Sequence, residues 1–496
     1  MSLKSILAKV YAQIEKRNIY SWASKPVETQ RKVLKYLIKE AQFTSFGNDH
    51  QFEKIKNYDD FKKYVPIRDY EDLRPYIDKV VAGEKDVLWK GKPLYFAKTS
   101  GTTSGTKYIP ISTESMPFHI QAAKQALLMY IAETGNADFV DGKMIFLQGS
   151  PILEVKNGIK TGRLSGIAAH FIPKYLQQNR MPTWETNCID DWETKVNAIV
   201  DETINEDMRV ISGIPSWVQM YFEKLIEKSG KNVGTLYKNF NLFVFGGVNF
   251  EPYRQKFENL IGRKVDSIEL FPASEGFFAF QDSQKEKGML LLLNSGMFYE
   301  FIPTDEFYNE NPTRISIVDV KLGVNYVLIL NTNSGLWGYN IGDTVMFTSL
   351  KPYRVIVSGR IKHYISAFGE HVIAKEVEHA LKNTVENTEI SVNEFTVAPQ
   401  VNPKDGLPYH EWFIEFEKAP ENMEIFLTQL DKALQQQNAY YFDLISGKVL
   451  QPLKISKVVK GGFQNYMKSI GKLGGQNKVP RLSNDRKIVD QLEILK

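Results

Sequence analysis

The chain has 496 residues, 43% of them hydrophobic, with 62 basic and 58 acidic side chains for a net charge of +4. That length suits two or three domains with their own cores, and the near balance of charge leaves no basic field of the kind that binds nucleic acid or a membrane surface. The single cysteine, Cys188, excludes an internal disulfide framework and suits a reducing cytoplasm.

The N-terminal "MSLKSILAKVYAQIEKRNIY" interrupts its apolar residues with Lys4, Lys9, Glu15 and Lys16, so it predicts an amphipathic helix rather than a signal peptide. Helical periodicity continues to residue 64, and "VPIRDYEDLRPY" (65–76) predicts a proline-marked break. A further helix is expected in "MPFHIQAAKQALLMYIAETG" (116–135), then a strand in "KMIFLQGS". Short apolar strands recur at 208–213, 241–247, 266–271, 326–332, 343–348 and 353–359, with helical stretches at 215–229 and 251–262. The run "MLLLL" (289–293) is far shorter than the roughly 18 residues of a membrane span and suits a buried strand. This alternation predicts α/β layers whose ligands lie beyond the carboxyl ends of the strands. Past Arg360 a helix (374–383), two alternating strands joined by "QVNPKDGLPY" and a helix (421–436) predict a small α+β domain, followed by the glycine-dense tail "GGFQNYMKSIGKLGGQNKVPRLSND". The expected domains are 1–359 and 360–496.

Four stretches carry chemistry. "KTSGTTSGTKYIP" (98–110) crowds hydroxyls and glycines where a backbone can approach a phosphate, but three residues separate Gly101 from Gly105 and Thr106 precedes Lys107, so it is not a Walker A loop. "FVFGGVNF" (243–250) puts Gly246 and Gly247 at a strand end, where a planar ligand can face the backbone. "LFPASEGFFAF" projects Glu275 from a turn rimmed by Phe271, Phe277 and Phe278, a carboxylate suited to Mg²⁺ beside a polyphosphate. "LWGYNIGDTVMF" presents Asp343, and one carboxylate can accept from both hydroxyls of a ribose. Taken singly, each has an ordinary reading: a surface turn, a β-turn, a helix-cap acid. The seven histidines show no HExxH spacing, so no transition-metal centre is expected.

The ordered set TSGTTSGTK, GGVNF, FPASE, YNIGD and GRIKHYISAFGEHV resembles the core motifs of the adenylate-forming superfamily of acyl-CoA synthetases, peptide-synthetase adenylation domains and luciferases. With SGIPSW (212–217) and QNKVPR (476–481), the chain is most similar over nearly its whole length to the acyl-acid amido synthetases called auxin-responsive Gretchen Hagen proteins, in a bacterial-type form.

The resemblance implies a large multi-sheet α/β N-terminal domain and a small mobile α+β C-terminal domain. It implies that Ser100, Gly101, Thr102, Thr103, Ser104 and Gly105 cradle the phosphates of ATP, with Lys107 toward their outer end. Gly247 and Phe271 would flank adenine, next to Ser274, with Phe271 standing where a tyrosine is common. Asp343 would accept from the ribose, Arg360 would be a second ribose contact, and Glu275 would hold Mg²⁺. Lys478 would be the catalytic lysine carried by the small domain, although Asn477 replaces the glycine usual before it in the adenylating domains. Lys362 occupies the pivot between Gly359 and Gly369. Ile214, Trp217, Phe277 and the helix at 116–130 are the candidates for an apolar acyl pocket.

The implied reaction is adenylation of a carboxylic acid by ATP and transfer of the acyl group to an amino acid. The expected partners are those small molecules, with no nucleic acid and no membrane. An acyl-CoA ligase shares every adenylation residue and differs in its second nucleophile, and a non-catalytic acyl- or nucleotide-binding protein keeping the fold is a further alternative.

Overall fold

The computed structural model describes residues 2–100, 106–172, 177–247, 250–361, 364–365, 372–400, 403–446, 450–474, 478–483 and 486–495. Two compact units divide the chain: Met1–Val248 with Leu260–Val357, and Asn249–Asn259 with Ser358–Lys496.

In the large unit the N-terminal helix spans Leu3–Ala23, capped by the Ser2 hydroxyl, which accepts from Ser5 N. It turns small residues such as Ser5 and Ala12 inward, while Leu7, Val10 and Ile14 stay exposed. The break expected over 65–76 is shorter than its proline suggested, because Tyr70–Val81 is helical. Asp69 and Asp72 form a reciprocal capping box there, which satisfies the first free amides and tolerates Pro75 inside the helix.

Among the described residues the largest sheet has eleven strands, in the order Met297–Pro303, Asn325–Thr332, Tyr339–Leu350, Tyr353–Arg360, Met289–Leu291, Gly276–Phe280, Asp266–Ala273, Leu242–Gly246, Met208–Ser212, Lys143–Phe146 and Arg180–Met181. From Asp266–Ala273 to Arg180–Met181 the neighbours run parallel, while the pairings of Gly276–Phe280 with Asp266–Ala273 and with Met289–Leu291 are antiparallel. The run 289–293 shows why an unbroken apolar stretch is needed: Met289, Leu291 and Leu293 join one buried cluster, and Leu290 and Leu292 join another. Alternate side chains of a strand point to opposite faces, so a strand covered on both faces has no polar positions. A separate four-stranded sheet, in the order Thr106–Ile111, Tyr95–Ser100, Ile159–Gly162 and Glu154–Lys156, carries the hydroxyl-rich stretch.

In the small unit Ser391–Gln400 and Tyr409–Lys418 form the expected antiparallel pair, with Gln400 opposite Tyr409, and Lys454–Lys457 adds a parallel third strand. Helices Ala374–Val385 and Met423–Gln437 pack their apolar faces on it through Leu381, Phe426, Leu430 and Leu434. The tail is less loop-like than its glycines suggest: Gly462–Ser469 is a helix that buries Phe463 and Met467. Among the described residues no helix is long and apolar enough to cross a membrane.

Candidate active site

The parallel strands end together. Leu147 follows one of them and donates to Ser212 O, Ser212 pairs with Val244, and Gly246 pairs with Leu270, so Gln148, Gly213, Gly247 and Ser274 all lie along one edge of the sheet. This is the edge at which α/β sheets bind ligands. A polar cleft of about 400 Å³, with Arg209, Asn241 and Arg263 in its lining, lies by the start of the same strands and gathers none of the candidate residues.

Glu275 sits on a two-residue hairpin turn, since Ala273 pairs directly with Gly276. Tyr339 Oη donates to Glu275 Oε1 at 3.4 Å. Burial, and after it the Glu275 carboxylate, raise the Tyr339 phenol well above its usual pKa, so it remains a neutral donor. Tyr339 is held by the main chain of the 65–69 segment: Arg68 N donates to Gly338 O at 2.8 Å and Asn340 N to Arg68 O at 2.7 Å.

The same segment leads into Tyr70, whose hydroxyl accepts from Tyr108 N at 2.9 Å. The Lys107 ammonium lies 5.1 Å from the centre of the Tyr70 ring. Lys107 and Tyr108 belong to the returning strand of a hairpin in which Thr99 pairs with Lys107 and Ser100 with Thr106. The tip of that hairpin, Gly101, Thr102, Thr103, Ser104 and Gly105, and the Ser100 side chain lie outside the described residues. The stretch joins two antiparallel strands, unlike the strand-to-helix turn of a Walker loop.

Asp343 owes its place to a bulge. Val327 pairs with Thr344 and Ile329 with Asn340, so Ile341, Gly342 and Asp343 oppose the single residue Leu328. Gly342 takes φ +87°, which L side chains rarely adopt, and its amide donates to Asn340 Oδ1 at 2.8 Å. Asp343 is 5% exposed, on the strand that begins with Tyr339.

The remaining candidates are distributed. Gly247, with φ +79°, is exposed at its strand end, and Ser274 is nearly buried beside Glu275. Phe271 is buried with its ring edge-on to Phe278 at 4.9 Å. Trp217 and Phe277 are each 4% exposed in different packing: Trp217 lies 4.5 Å from the Trp192 ring, and Phe277 joins the apolar cluster of Met129 and Phe280. Ile214 is the partly buried N-cap of helix Pro215–Ser229. Lys478 is exposed in the small unit, just before Arg481, which is anchored to Glu378 and Glu394. Lys362, Gly369, Gln476, Asn477 and the Arg360 side chain lie outside the described residues.

Tyr339 and Tyr70 are not among the residues expected from sequence, although Tyr339 opens the YNIGD motif. Among the described residues no three His, Cys, Asp or Glu side chains cluster to hold a metal ion. Glu275 alone fits a Mg²⁺ that keeps waters and shares oxygen ligands with a nucleotide, the usual manner of that ion.

The GH3 family N-terminal domain matches residues 15–187, the GH3 family central domain 290–360 and the GH3 family C-terminal domain 375–487. A jasmonoyl–L-amino acid synthetase (JAR4) of Nicotiana attenuata is 21% identical over 501 residues, 85% of each chain. An indole-3-acetic acid-amido synthetase (GH3.3) of Arabidopsis thaliana is 25% identical over 215 residues, 40% of this chain and 35% of that one. The structure of AtGH3.15 acyl acid amido synthetase in complex with 2,4-DB superimposes with a TM-score of 0.80 at 17% identity, covering 98% of this chain and 97% of that one. A 2-hydroxyisobutyryl-CoA ligase in the postadenylation state gives 0.57 at 13% identity, covering 97% and 89%. The three domain matches together span more than half of the sequence, in order, on a fold shared with an acyl acid amido synthetase, and the chain belongs to the GH3 family.

Proposed function

We propose that the chain is a ligase that adenylates a carboxylic acid with ATP and then transfers the acyl group to the amine of an amino acid. In the first step a carboxylate oxygen attacks the α-phosphorus and the bond to pyrophosphate breaks. In the second the amine nitrogen attacks the acyl carbon, the bond to the AMP oxygen breaks, and the amine loses a proton to solvent. Adenylation is needed because a free carboxylate must otherwise expel oxide.

The observation that carries this reading is the gathering of Glu275, Tyr339 and the strand of Lys107 and Tyr108 by way of Tyr70, with Asp343 on the Tyr339 strand. Tyr339 orients the Glu275 carboxylate, Asp343 accepts from the ribose, and Lys107 with the 100–105 stretch binds the phosphates. Bound Mg²⁺ would be held by Glu275 and would supply charge neutralisation on the phosphates. Lys478, on the small domain, supplies positive charge during adenylation, when charge placement is the main catalytic contribution. Gly247 and Phe271 flank adenine, Arg360 adds a ribose contact, and Ile214, Trp217 and Phe277 shape the acyl end.

A CoA-dependent ligase is the second reading, favoured by the fold shared with 2-hydroxyisobutyryl-CoA ligase. ATP–pyrophosphate exchange over a panel of acids tests adenylation itself: exchange that rises only when an acid is added supports it, and exchange indifferent to every acid sinks it.

A further inference from the structure

At the same sheet edge, two strands away from Gly247, a cluster of buried donors has no acidic partner. Lys195 is 1% exposed, and among the described residues its ammonium bonds only to main-chain carbonyls, Asn187 O at 2.6 Å and Gln148 O at 3.0 Å. Arg180 is partly buried. Its Nη1 lies 3.5 Å from Ala169 O and its Nη2 donates at 2.5 Å to the Gln148 amide oxygen, whose amide nitrogen donates to Ser165 O at 3.2 Å. Neither cation has a carboxylate within ion-pair distance among the described residues, and Asp190 acts on Lys195 only from farther away. Around them, among the described residues, Arg180 Nε, Ser165 Oγ and Trp192 Nε1 are buried donors without a partner, and Asn187 Oδ1 is a buried acceptor without one.

A buried charge or donor left without a counterpart is costly, so such a cluster persists where something repays it. Here the excess is of donors and of positive charge. A carboxylate offers two oxygens with about four lone-pair sites and one negative charge, which matches that excess. We propose that Lys195, Arg180 and Gln148 form a carboxylate-binding subsite of the large unit. Strands are about 4.8 Å apart, so the Gln148 strand end lies roughly 10 Å along the edge from Gly247 and roughly 15 Å from Ser274. That span places the bound carboxylate at the end of a substrate remote from the carbonyl being activated. It rests on the adenylation reading of this edge. The carboxylate belongs either to the acceptor amino acid or to a second acid group on the acyl substrate.

Two matched pairs separate those sources in the full chain: alanine against alaninamide as acceptor, and pimelic against heptanoic acid in ATP–pyrophosphate exchange, each also titrated calorimetrically. In the parent the member of one pair that bears the extra carboxylate (alanine or pimelic acid) is favoured about tenfold or more, and the responding pair names the source. Arg180→Gln should abolish that preference and leave the KM for ATP unchanged, while Arg180→Lys retains most of it. Lys195→Arg, which keeps a donor for the two buried carbonyls, should also retain it. No preference in either pair, or one that survives Arg180→Gln, overturns the subsite. If no acid supports exchange yet calorimetry still shows a preference that Arg180→Gln removes, the subsite stands and the adenylation reading fails.

Discussion

The phenol of Tyr339 donates to the carboxylate of Glu275 at 3.4 Å, joining a strand start to a hairpin turn 64 residues earlier in the chain. Removing the donor leaves the carboxylate in place without its orienting bond. Tyr339→Phe should therefore raise the Mg²⁺ concentration for half-maximal ATP–pyrophosphate exchange several-fold, at a stability cost of about 1 kcal/mol. An unchanged Mg²⁺ dependence would detach this pair from the metal.

Asp343 is buried in a bulge that aims it away from regular strand pairing. If it accepts from the ribose as proposed, those charge-assisted bonds would be worth about 1.5–3 kcal/mol, so Asp343→Ala should weaken ATP use tenfold or more. 2′-Deoxy-ATP should be discriminated against by the parent and much less by the variant. Equal discrimination by both would remove Asp343 from the nucleotide site.

Much of this edge was legible in the sequence, because strands buried on both faces leave unbroken apolar runs and the polar motifs interrupt them at their ends. The bulge at 341–343 was not, since pairing register depends on a partner strand that periodicity does not reveal. Proline misled at 65–76 because the Asp69–Asp72 capping box outweighs the amide that Pro75 lacks. Lys195 did leave a signal. It falls with Trp192, Val196, Ile199 and Val200 on the buried stripe of helix Trp192–Thr203, and a lysine at such a position calls for a partner.

Burial lowers the His119 imidazole to about 4, and among the described residues its buried Nδ1 has no partner. Unfolded, the ring titrates near 6.5, so between those values the unfolded chain binds more protons and stability is lost as pH falls. The full loss is about 3 kcal/mol. His119→Leu should flatten the acid limb of a Tm-against-pH curve between about pH 6.5 and 4. A limb of unchanged slope would assign acid lability elsewhere.

Lys195 is lowered by burial to about 8. If it binds a carboxylate, the preference for the member of the responding pair that bears the extra carboxylate should decline as pH rises through that value. Parallel pH profiles for the two would separate Lys195 from the bound anion.

Arg481 ties the KVPR segment to the small unit: its guanidinium bonds Glu378 at 3.1 Å and Glu394, and Pro480 O accepts from Thr396 at 2.7 Å. Lys478 itself is exposed. Lys478→Ala should leave Tm nearly unchanged, as surface substitutions do, yet reduce exchange by roughly 10² to 10³. Arg481→Ala should reduce both, because it removes the guanidinium that bonds Glu378 and Glu394. Near-normal exchange in Lys478→Ala would return that lysine to the surface.

The measurement that bears most directly on the account is the identity of the product. The parent chain is incubated with ATP, Mg²⁺, mixed carboxylic acids, and either mixed amino acids or coenzyme A, and the mixtures are resolved by mass spectrometry. The expected result is an acyl–amino acid amide formed in step with AMP and pyrophosphate, and no more thioester with coenzyme A than without enzyme. A thioester formed in step with AMP, with no amide from any amino acid, would contradict it.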